Sequence, residues 1–138
     1  MPLMLRAFSV LNRGLYRASN GRIGGRIAGA PVLLLTTTGR TSGKPRTVPL
    51  AYLEDRDALV VVASYGGRPT DPAWLRNIRA NPDVEVEVGS ERRRMRARVA
   101  SSEERTRLWP GVVEMYPTYE RYQERTTREI PLVLLSPS

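Results

Sequence analysis

The sequence predicts an α+β, mainly β fold, a small barrel of five or six strands with short helices between them. Three observations lead to this prediction. Strand-length runs of apolar and β-branched residues recur after residue 31, the helix-period segments between them are short, and neither a regular βαβ alternation nor a GxGxxG turn occurs. A chain of 138 residues is long enough for one such domain with its own core.

Two kinds of pattern predict the strands. Runs rich in apolar and β-branched residues predict strands at 32–38, 47–53, 58–64 and 130–136. Two further segments alternate apolar residues with glutamates (84–88) or with arginines (95–99), and Gly89-Ser90 joins them into a predicted hairpin. Acidic and basic outer faces can pair across such strands, so a solvated sheet face is favoured for the arginine run 92–98 over a nucleic-acid-binding stripe.

Start signals predict three helices in the second half of the chain. Asp71 is predicted to cap a helix that Pro72 opens. A capping box at 101–104 begins a second helix that runs to about Met115, and a third helical stretch covers 117–129.

The N-terminal segment differs from the rest. Residues 3–18 have the period of a basic amphipathic helix and 20–31 are glycine-rich, which divides the chain into an N-terminal helix and connector (1–30) and a barrel domain (31–138). Packing of this helix on its own domain is favoured over contact with a membrane. The sequence holds no apolar run near the roughly 20 residues of a membrane span and no signal peptide, so a cytoplasmic protein is expected, with peripheral contact at the inner face of the plasma membrane left open.

The charge of the chain is unevenly distributed. Residues 1–53 carry eight cations and no acid, whereas the remaining 85 residues carry 14 basic and 14 acidic groups. Of the 22 cations, 21 are arginine, which binds phosphate and carboxylate bidentately. The front half of the chain is therefore expected to meet a negatively charged partner, whether phosphate, nucleic acid or an anionic membrane.

Two residue types are absent, and their absence excludes several kinds of chemistry. The chain has no Cys and no His. Thiol nucleophiles, Ser-His-Asp triads and most zinc sites are thereby excluded, and no metal site is predicted. An enzyme with this composition is expected to leave the difficult chemistry to a bound cofactor.

Two segments are candidates for a site. In TTTGRTSGKPRTVPL (36–50), glycines bracket cations and hydroxyls, which suits an anion site as well as it suits a basic turn without a ligand. Tyr116, Tyr119 and Tyr122 are spaced by three residues, which predicts one helical stripe. Such phenols could donate hydrogen bonds to a quinone or nitro oxygen, or they could simply pack in the core.

Together these segments resemble a known family. TTGRTSGKPR, GGRPTDPAW and MYPTYERYQ follow one another as in the deazaflavin-dependent nitroreductases, actinobacterial oxidoreductases that use coenzyme F420, and the resemblance covers about Pro31 to Pro137. It implies a split β-barrel, related to the flavin-binding barrels, with the deazaflavin in a groove beside it. Many relatives carry a lysine at the position of Thr41, and Lys44 is a candidate to compensate for its loss.

The resemblance also implies roles for particular residues. The phosphate and polyglutamate tail of the coenzyme would be held by Arg40, Thr41, Ser42 and Arg46, assisted by Lys44. The groove would be lined by Thr47, Val48, Pro49, Leu50 and Ala51. The ring would meet Val62, Ala63, Ser64 and Tyr65, and the coenzyme would be flanked by Ala73, Trp74, Leu75, Arg76 and Asn77. The glycines Gly66-Gly67 after this strand would let a flat ring approach the backbone closely. Substrate contact, with oxyanion or proton donation, would fall to Ser64, Tyr116, Tyr119 and Tyr122.

The implied activity is hydride transfer from reduced F420 to a small-molecule electron acceptor. The acceptor would be a quinone such as menaquinone, or a nitroaromatic or nitroimidazole compound, and the N-terminal helix could reach a membrane-dissolved quinone. Two alternatives stay open, a basic small barrel that binds nucleic acid and a non-catalytic F420 carrier or sensor. Nucleic-acid binding is not expected, because no aromatic residue interleaves with the arginine run. The assembly is expected to be a monomer or a homodimer.

Overall fold

Seven antiparallel strands and three helices form the described chain, which comprises residues 26–27 and 29–138 of this computed structural model. The strands are β1 (Arg26–Ile27), β2 (Ala30–Thr38), β3 (Pro45–Asp55), β4 (Ala58–Val62), β5 (Asp83–Val88), β6 (Glu91–Val99) and β7 (Leu132–Pro137). The helices are α1 (Ala73–Ala80), α2 (Ser102–Met115) and α3 (Thr118–Glu124), with a single 3-10 turn at Tyr65–Gly67.

The strands close into a barrel. Their order is β1-β2-β3-β4-β7-β6-β5, and β5 pairs back to β2 with Leu35 opposite Val86. Six strands therefore complete the ring, and β1 is a two-residue extension paired to β2. The prediction of a mainly β barrel with short helices is confirmed.

Strands β4 and β7 are buried on both faces, which explains their continuous apolar sequence. Leu59 and Val61 of β4 point into the barrel with Leu135 of β7, whereas Val60 and Leu134 point outward into a second apolar cluster. Helices α2 and α3 cover this outer cluster with residues that include Leu108, Val112 and Tyr119. Successive side chains of a strand face opposite sides, so each of these strands serves both cores.

Helix α1 packs against the barrel core through Trp74, Leu75 and Ile78. It begins at Ala73 with Pro72 as its N-cap, so the prediction that Asp71 caps it was wrong. The carboxylate of Asp71 instead accepts hydrogen bonds from Arg79 at 2.8 Å and from Arg128 at 3.2 Å. A carboxylate that is engaged by two guanidinium groups is drawn away from the helix end.

The other two helices differ in how well the sequence predicted them. The capping box of α2 is present, because Ser101 Oγ accepts from the Glu104 amide while the Glu104 carboxylate accepts from the Ser101 amide. Helix α3 ends at Glu124, five residues earlier than predicted. Beyond it the Gln123 side chain accepts from the Ile130 amide and donates to the Arg128 carbonyl, which fixes the chain in a loop instead of a helix.

The arginines of β6 form ion pairs across the predicted hairpin. Arg92 lies 2.9 Å from Glu87, and Arg96 lies 3.9 Å from Asp83, both on β5. Arg98 reaches Glu104 on α2 at 2.7 Å. This arrangement agrees with a solvated sheet face and confirms the predicted pairing of acidic and basic strand faces.

The predicted helix at 3–18 and most of the connector at 20–31 lie outside the described residues. The division into segments 1–30 and 31–138 therefore stays a prediction. Among the helices of residues 29–138, none has the length and apolar character that crossing a membrane requires.

Candidate functional site

A basic loop, defined here as residues 39–46, joins β2 to β3. The Gly39 amide donates to the Lys44 carbonyl at 2.8 Å, and the Gly43 amide donates to the Gly39 carbonyl at 2.8 Å. Gly43 has a φ of 70°, and a Cβ on Gly39 would lie 2.5 Å from Ser42 Oγ. The loop thus needs glycine at both positions, one for its backbone conformation and one for space.

The side chains of the basic loop carry most of its binding capacity. The amides of Gly39, Gly43 and Lys44 are already used inside the loop. Arg40, Lys44 and Arg46 are exposed, and in the described part of the chain no carboxylate pairs with them. By contrast, eight arginines of the second half do pair with carboxylates. An unpaired cation cluster is able to bind an anion without first breaking an internal ion pair.

Asn77 fastens the basic loop to helix α1. Its side chain is only 5% exposed, and its Oδ1 accepts from the Arg40 amide at 3.1 Å. Its Nδ2 donates to Thr37 Oγ1 at 3.0 Å on β2. Buried polar groups are stable when both ends are hydrogen-bonded, so this amide sets the position of the loop relative to the helix and the barrel.

The predicted groove residues 47–51 are divided by the period of β3. Val48 and Leu50 pack against the barrel core, whereas Thr47, Pro49 and Ala51 point the other way. Thr47 Oγ1 lies 2.7 Å from Thr36 Oγ1 on the neighbouring strand. Only the outward set is placed to line an external groove, and that role stays a prediction.

The segment predicted to meet the ring follows β4. Val62 lies in the outer cluster, Ala63 lies in the barrel core, and Ser64 is 9% exposed. Tyr65 is exposed and has a φ of 47°, with the Arg68 guanidinium over its ring at 4.5 Å. Backbone conformations of this kind are uncommon in residues other than glycine and tend to mark functional loops.

The guanidinium of Arg128 holds this segment. Its Nη2 donates to the carbonyls of Ala63 at 3.1 Å and Ser64 at 2.9 Å. Its Nε donates to the Arg68 carbonyl at 2.9 Å, and its Nη1 donates to Asp71 Oδ1 at 3.2 Å. One side chain therefore fixes three carbonyls and one carboxylate within the nine residues 63–71.

Gly67 brings the same segment against helix α3. A Cβ on Gly67 would lie 2.7 Å from the Tyr122 carbonyl oxygen and 3.1 Å from Arg125 Cβ. The sequence predicted that Gly66-Gly67 lets a flat ring approach the backbone. At Gly67 the close neighbour is the chain itself, whereas the space beside Gly66 is open.

The residues of α1 that were predicted to flank a coenzyme face different ways. Trp74 and Leu75 are buried in the barrel core, so Trp74 is a packing residue. Ala73 and Arg76 are exposed, and Asn77 is the buried bridge to the basic loop. That the exposed pair flanks a coenzyme stays a prediction.

The three tyrosines are in contact, although they do not lie on one helix. Tyr116 is the C-cap of α2, whereas Tyr119 and Tyr122 belong to α3, with Pro117 at the turn between the helices. The rings of Tyr116 and Tyr119 are 4.8 Å apart and those of Tyr119 and Tyr122 are 6.2 Å apart, both edge to face. Tyr119 is 7% exposed within the outer cluster, whereas Tyr116 and Tyr122 are half-buried and keep an accessible edge.

Burial raises the pKa of two of these phenols, Tyr119 and Tyr122. Desolvation raises the pKa of Tyr119, and the neighbouring Tyr116 adds to the effect. Desolvation and a hydrogen bond with Tyr116 raise the pKa of Tyr122. Both phenols are therefore neutral hydrogen-bond donors throughout the physiological pH range.

Comparison with known proteins places the chain in a family. Residues 10–137 match the family described as F420H(2)-dependent quinone reductase. The chain belongs to the F420H(2)-dependent quinone reductase family. It is 47% identical over 130 residues to the F420H(2)-dependent quinone reductase Rv1261c of Mycobacterium tuberculosis, covering 91% of this chain and 87% of that protein.

Solved structures of related chains share the barrel. An F420-H2 dependent reductase, FDR-A, is 43% identical with a TM-score of 0.71, covering 77% of this chain and 94% of the other. A structure described as a domain-swapped dimer is 37% identical with a TM-score of 0.74, covering 92% of this chain and 95% of the other. These similarities confirm the split-barrel fold expected from the resemblance.

The donor set of this quinone reductase family member fits an anionic coenzyme. The basic loop offers three cations that no described carboxylate neutralises, and Asn77 holds it beside α1. Asp71 joins the start of α1 to Arg128, and Arg128 joins Ser64. Hydrogen bonds thus link the basic loop to α1 through Asn77, and they link Ser64 to helix α3, which carries Tyr119 and Tyr122, through Arg128 and Gln123.

Sequence reasoning missed the roles of two residues in this arrangement. Arg128 and Gln123 carry long-range contacts, yet both were assigned to the helical stretch 117–129, Gln123 also to the MYPTYERYQ motif, and neither was predicted to belong to the site. A signal was available, because Arg128 stands two residues before the buried Ile130 of the closing strand, where a charged side chain needs a partner.

Proposed function

We propose that this protein is an F420H2-dependent quinone reductase. The observation that carries the proposal is the set of unpaired cations in the basic loop, tied by Asn77 to the same framework that supports Ser64 and the tyrosines. Membership of the family and 47% identity to Rv1261c support the same activity. When bound, the reduced deazaflavin supplies a hydride, which is the chemistry that a chain without Cys and His lacks.

In this proposal the basic loop binds the anionic end of the coenzyme. Arg40 and Arg46 are the principal cations, since arginine binds phosphate and carboxylate bidentately, and Lys44 adds a third positive charge. Thr41 and Ser42 contribute hydroxyl groups. The outward residues Thr47, Pro49 and Ala51, the segment 62–65 and the exposed residues of α1 complete the binding surface.

The quinone binds beside the tyrosines. In this arrangement the hydroxyls of the half-buried Tyr116 and Tyr122 and of Ser64 donate hydrogen bonds to the quinone oxygen on which negative charge develops. Donors held by a folded framework stabilise that charge without first having to reorganise. The same donors suit a nitro oxygen, and reduction of nitro compounds is a secondary prediction.

We also propose that the protein works as a homodimer, which the similarity to a domain-swapped dimer supports. Contact of the N-terminal segment with a membrane stays a prediction.

Turnover separates the enzyme from a carrier or sensor, which would bind the coenzyme without oxidising it. Ion pairing of Arg92, Arg96 and Arg98 weighs against the nucleic-acid alternative.

The first test combines binding with turnover. Fluorescence titration with F420 is expected to show binding, and the reduced coenzyme is expected to be oxidised when a soluble menaquinone analogue is added. Tyr116→Phe and Tyr122→Phe are each expected to lower kcat/KM for the quinone at least ~10-fold, about 1.4 kcal/mol of transition-state stabilisation. Tyr119→Phe is expected to change it less, because that ring is buried.

Tyr52→Phe is the matched control, since Tyr52 packs in the barrel core instead of the outer cluster. Its kcat/KM is expected to stay within about twofold of the wild-type value. Unchanged turnover in both Tyr116→Phe and Tyr122→Phe would reject the tyrosine site, and coenzyme binding with every quinone left unreduced would favour the carrier.

A further inference from the structure

The turn after β4 is held in an unusual backbone conformation. Tyr65, Gly66 and Gly67 have φ values of 47°, 64° and 79°, so three consecutive residues are left-handed. Tyr65 is not glycine, and its conformation carries a free-energy cost that the surrounding contacts must offset. The turn also carries Ser64 at its start, which places this strain inside the proposed site.

Arg128 supplies the contacts that offset this cost. All four hydrogen bonds that its guanidinium donates within the described residues go to segment 63–71, namely to the carbonyls of Ala63, Ser64 and Arg68 and to the carboxylate of Asp71. The side chain is only 16% exposed, so these charge-assisted bonds are partly shielded from water. The planar guanidinium reaches both ends of the turn at once, which the ammonium group of a lysine does not do.

The support behind Arg128 comes from helix α3. Gln123 Nε2 donates to the Arg128 carbonyl at 2.8 Å. Gln123 Oε1 accepts from the Ile130 amide and from Arg105, both at 2.9 Å. Gln123 directly follows Tyr122, so the arginine that holds Ser64 is fixed by the helix that carries the tyrosine.

We infer that Arg128 is a positioning residue that sets the Ser64–Arg68 turn relative to the tyrosines and thereby sets the rate of quinone reduction. The inference rests on the proposed function. Among the described residues, no hydrogen bond or ion pair of Arg128 goes to the basic loop or to Asn77, so its loss is expected to displace Ser64 while leaving the loop cations in place. Misplacing a reacting group by 1 Å can cost ~100-fold in rate. The effect is expected to be larger in kcat than in coenzyme affinity, because segment 62–65 is only part of the binding surface and the loop cations stay in place.

The kinetic test uses Arg128→Ala and Arg128→Lys, with Arg121→Ala as control. Arg121 is an exposed arginine of α3 for which the described residues provide no ion-pair partner. Arg128→Ala is expected to lower kcat with the menaquinone analogue at least ~10-fold and to change the F420 Kd less than about threefold. Added methylguanidinium is expected to restore part of kcat in Arg128→Ala, whereas Arg121→Ala behaves as wild type without it.

A folded Arg128→Ala variant with kcat within twofold of wild type would overturn the inference, and so would a loss confined to the coenzyme Kd. Arg128→Lys, which keeps the charge without the planar fork, is expected to retain an intermediate kcat. If Arg128→Ala does not fold, the lysine variant decides in its place, and wild-type kcat in that variant counts against the inference.

Hydrogen exchange separates this inference from the proposed function, because it requires no turnover. Amides 64–70 are expected to exchange at least ~10-fold faster in Arg128→Ala, while those of the basic loop are unchanged. If wild type neither binds F420 nor reduces a quinone, the proposed function fails, and equal exchange in both proteins would show that Arg128 does not hold the turn. If the wild type is active but Arg128→Ala shows neither faster exchange nor a lower kcat, the positioning role of Arg128 is overturned and the proposed function stands.

Discussion

At the scale of single residues, the neighbouring glycines Gly66 and Gly67 have different structural roles. Gly66 and Gly67 both have positive φ, yet a Cβ on Gly66 would meet open space whereas one on Gly67 would meet the Tyr122 backbone. Gly67 therefore determines how closely the Ser64–Arg68 turn approaches α3. The contact joins two of the segments that the proposed function brings together.

Gly67→Ala is expected to destabilise the protein more than Gly66→Ala. Both substitutions place a side chain in the left-handed region at a cost of about 1 kcal/mol, and only Gly67→Ala adds a backbone clash, for a total of about 2–4 kcal/mol. Urea unfolding of the two variants and wild type measures the difference, with Gly66→Ala as matched control. Equal stabilities of the two variants would contradict the close packing at Gly67.

The sequence alone identified this glycine pair as a place of close approach, but it did not identify the group that lies close to it. A glycine indicates that something needs the space, and nothing local to residues 66–67 specifies Tyr122, which is more than fifty positions away. The same holds for Arg128 and Asn77, whose hydrogen bonds span 37 to 65 residues. A local sequence pattern marks such a residue as unusual, but only the folded structure shows which residue is its partner.

At the scale of elements, local chemistry predicted the strands and the start of α2 well. Strand periods and the hairpin at Gly89-Ser90 were recovered because burial alternates with the pleat. The start of α1 and the end of α3 were predicted less well. Arg79 and Arg128 bind the carboxylate of Asp71, so Asp71 does not cap α1. The side chain of Gln123 accepts a hydrogen bond from the Ile130 amide, which holds the chain after α3 in a loop. The start of α2 depends on hydrogen bonds within the four residues 101–104, so the sequence predicted it correctly.

The capping residue Glu104 makes the stability of the protein depend on pH. Its hydrogen bond from Arg98, followed by that from the Ser101 amide, lowers its pKa from 4.5 to about 2. A lowered folded-state pKa stabilises the protein above pH 4.5, and this contribution is lost as the pH falls toward 2. Glu104→Gln is expected to cost about 1 kcal/mol at pH 7, with a difference from wild type that shrinks below pH 4.5.

Urea unfolding between pH 7 and pH 3 measures this effect. Glu103→Gln is the control, because Glu103 also lies in the first turn of α2 but is exposed. Its cost is expected to stay within about 0.5 kcal/mol. A Glu104→Gln penalty that is constant across this range would show that the carboxylate charge is not what stabilises the helix start.

At the scale of the whole molecule, charge is segregated by sequence position. The front 53 residues carry no acid, and the basic loop belongs to them, whereas the arginines of β6 are interleaved with carboxylates. Composition predicted this asymmetry and therefore the sign of the partner. It did not predict how the loop is anchored, because that depends on the buried amide of Asn77.

The combined substitution of Arg40→Ala and Arg46→Ala is expected to weaken F420 binding at least ~10-fold at low salt, with a shallower dependence on ionic strength than wild type has. The paired arginines offer a matched control in Arg92→Ala combined with Arg96→Ala, which removes equal charge from the sheet face. Titrations across a series of NaCl concentrations measure both. Equal loss of affinity in the two double variants would indicate that net charge alone governs binding.

The pairing of β5 with β2 has a consequence for assembly. Residues 34–36 of β2 have a paired strand on both sides, so a second copy cannot add a strand there by sheet extension. Within the described residues, 45–51 of β3 pair with β2 alone, so the ring is closed over only part of its length. Addition of a strand from a second copy is accordingly disfavoured where the ring is closed.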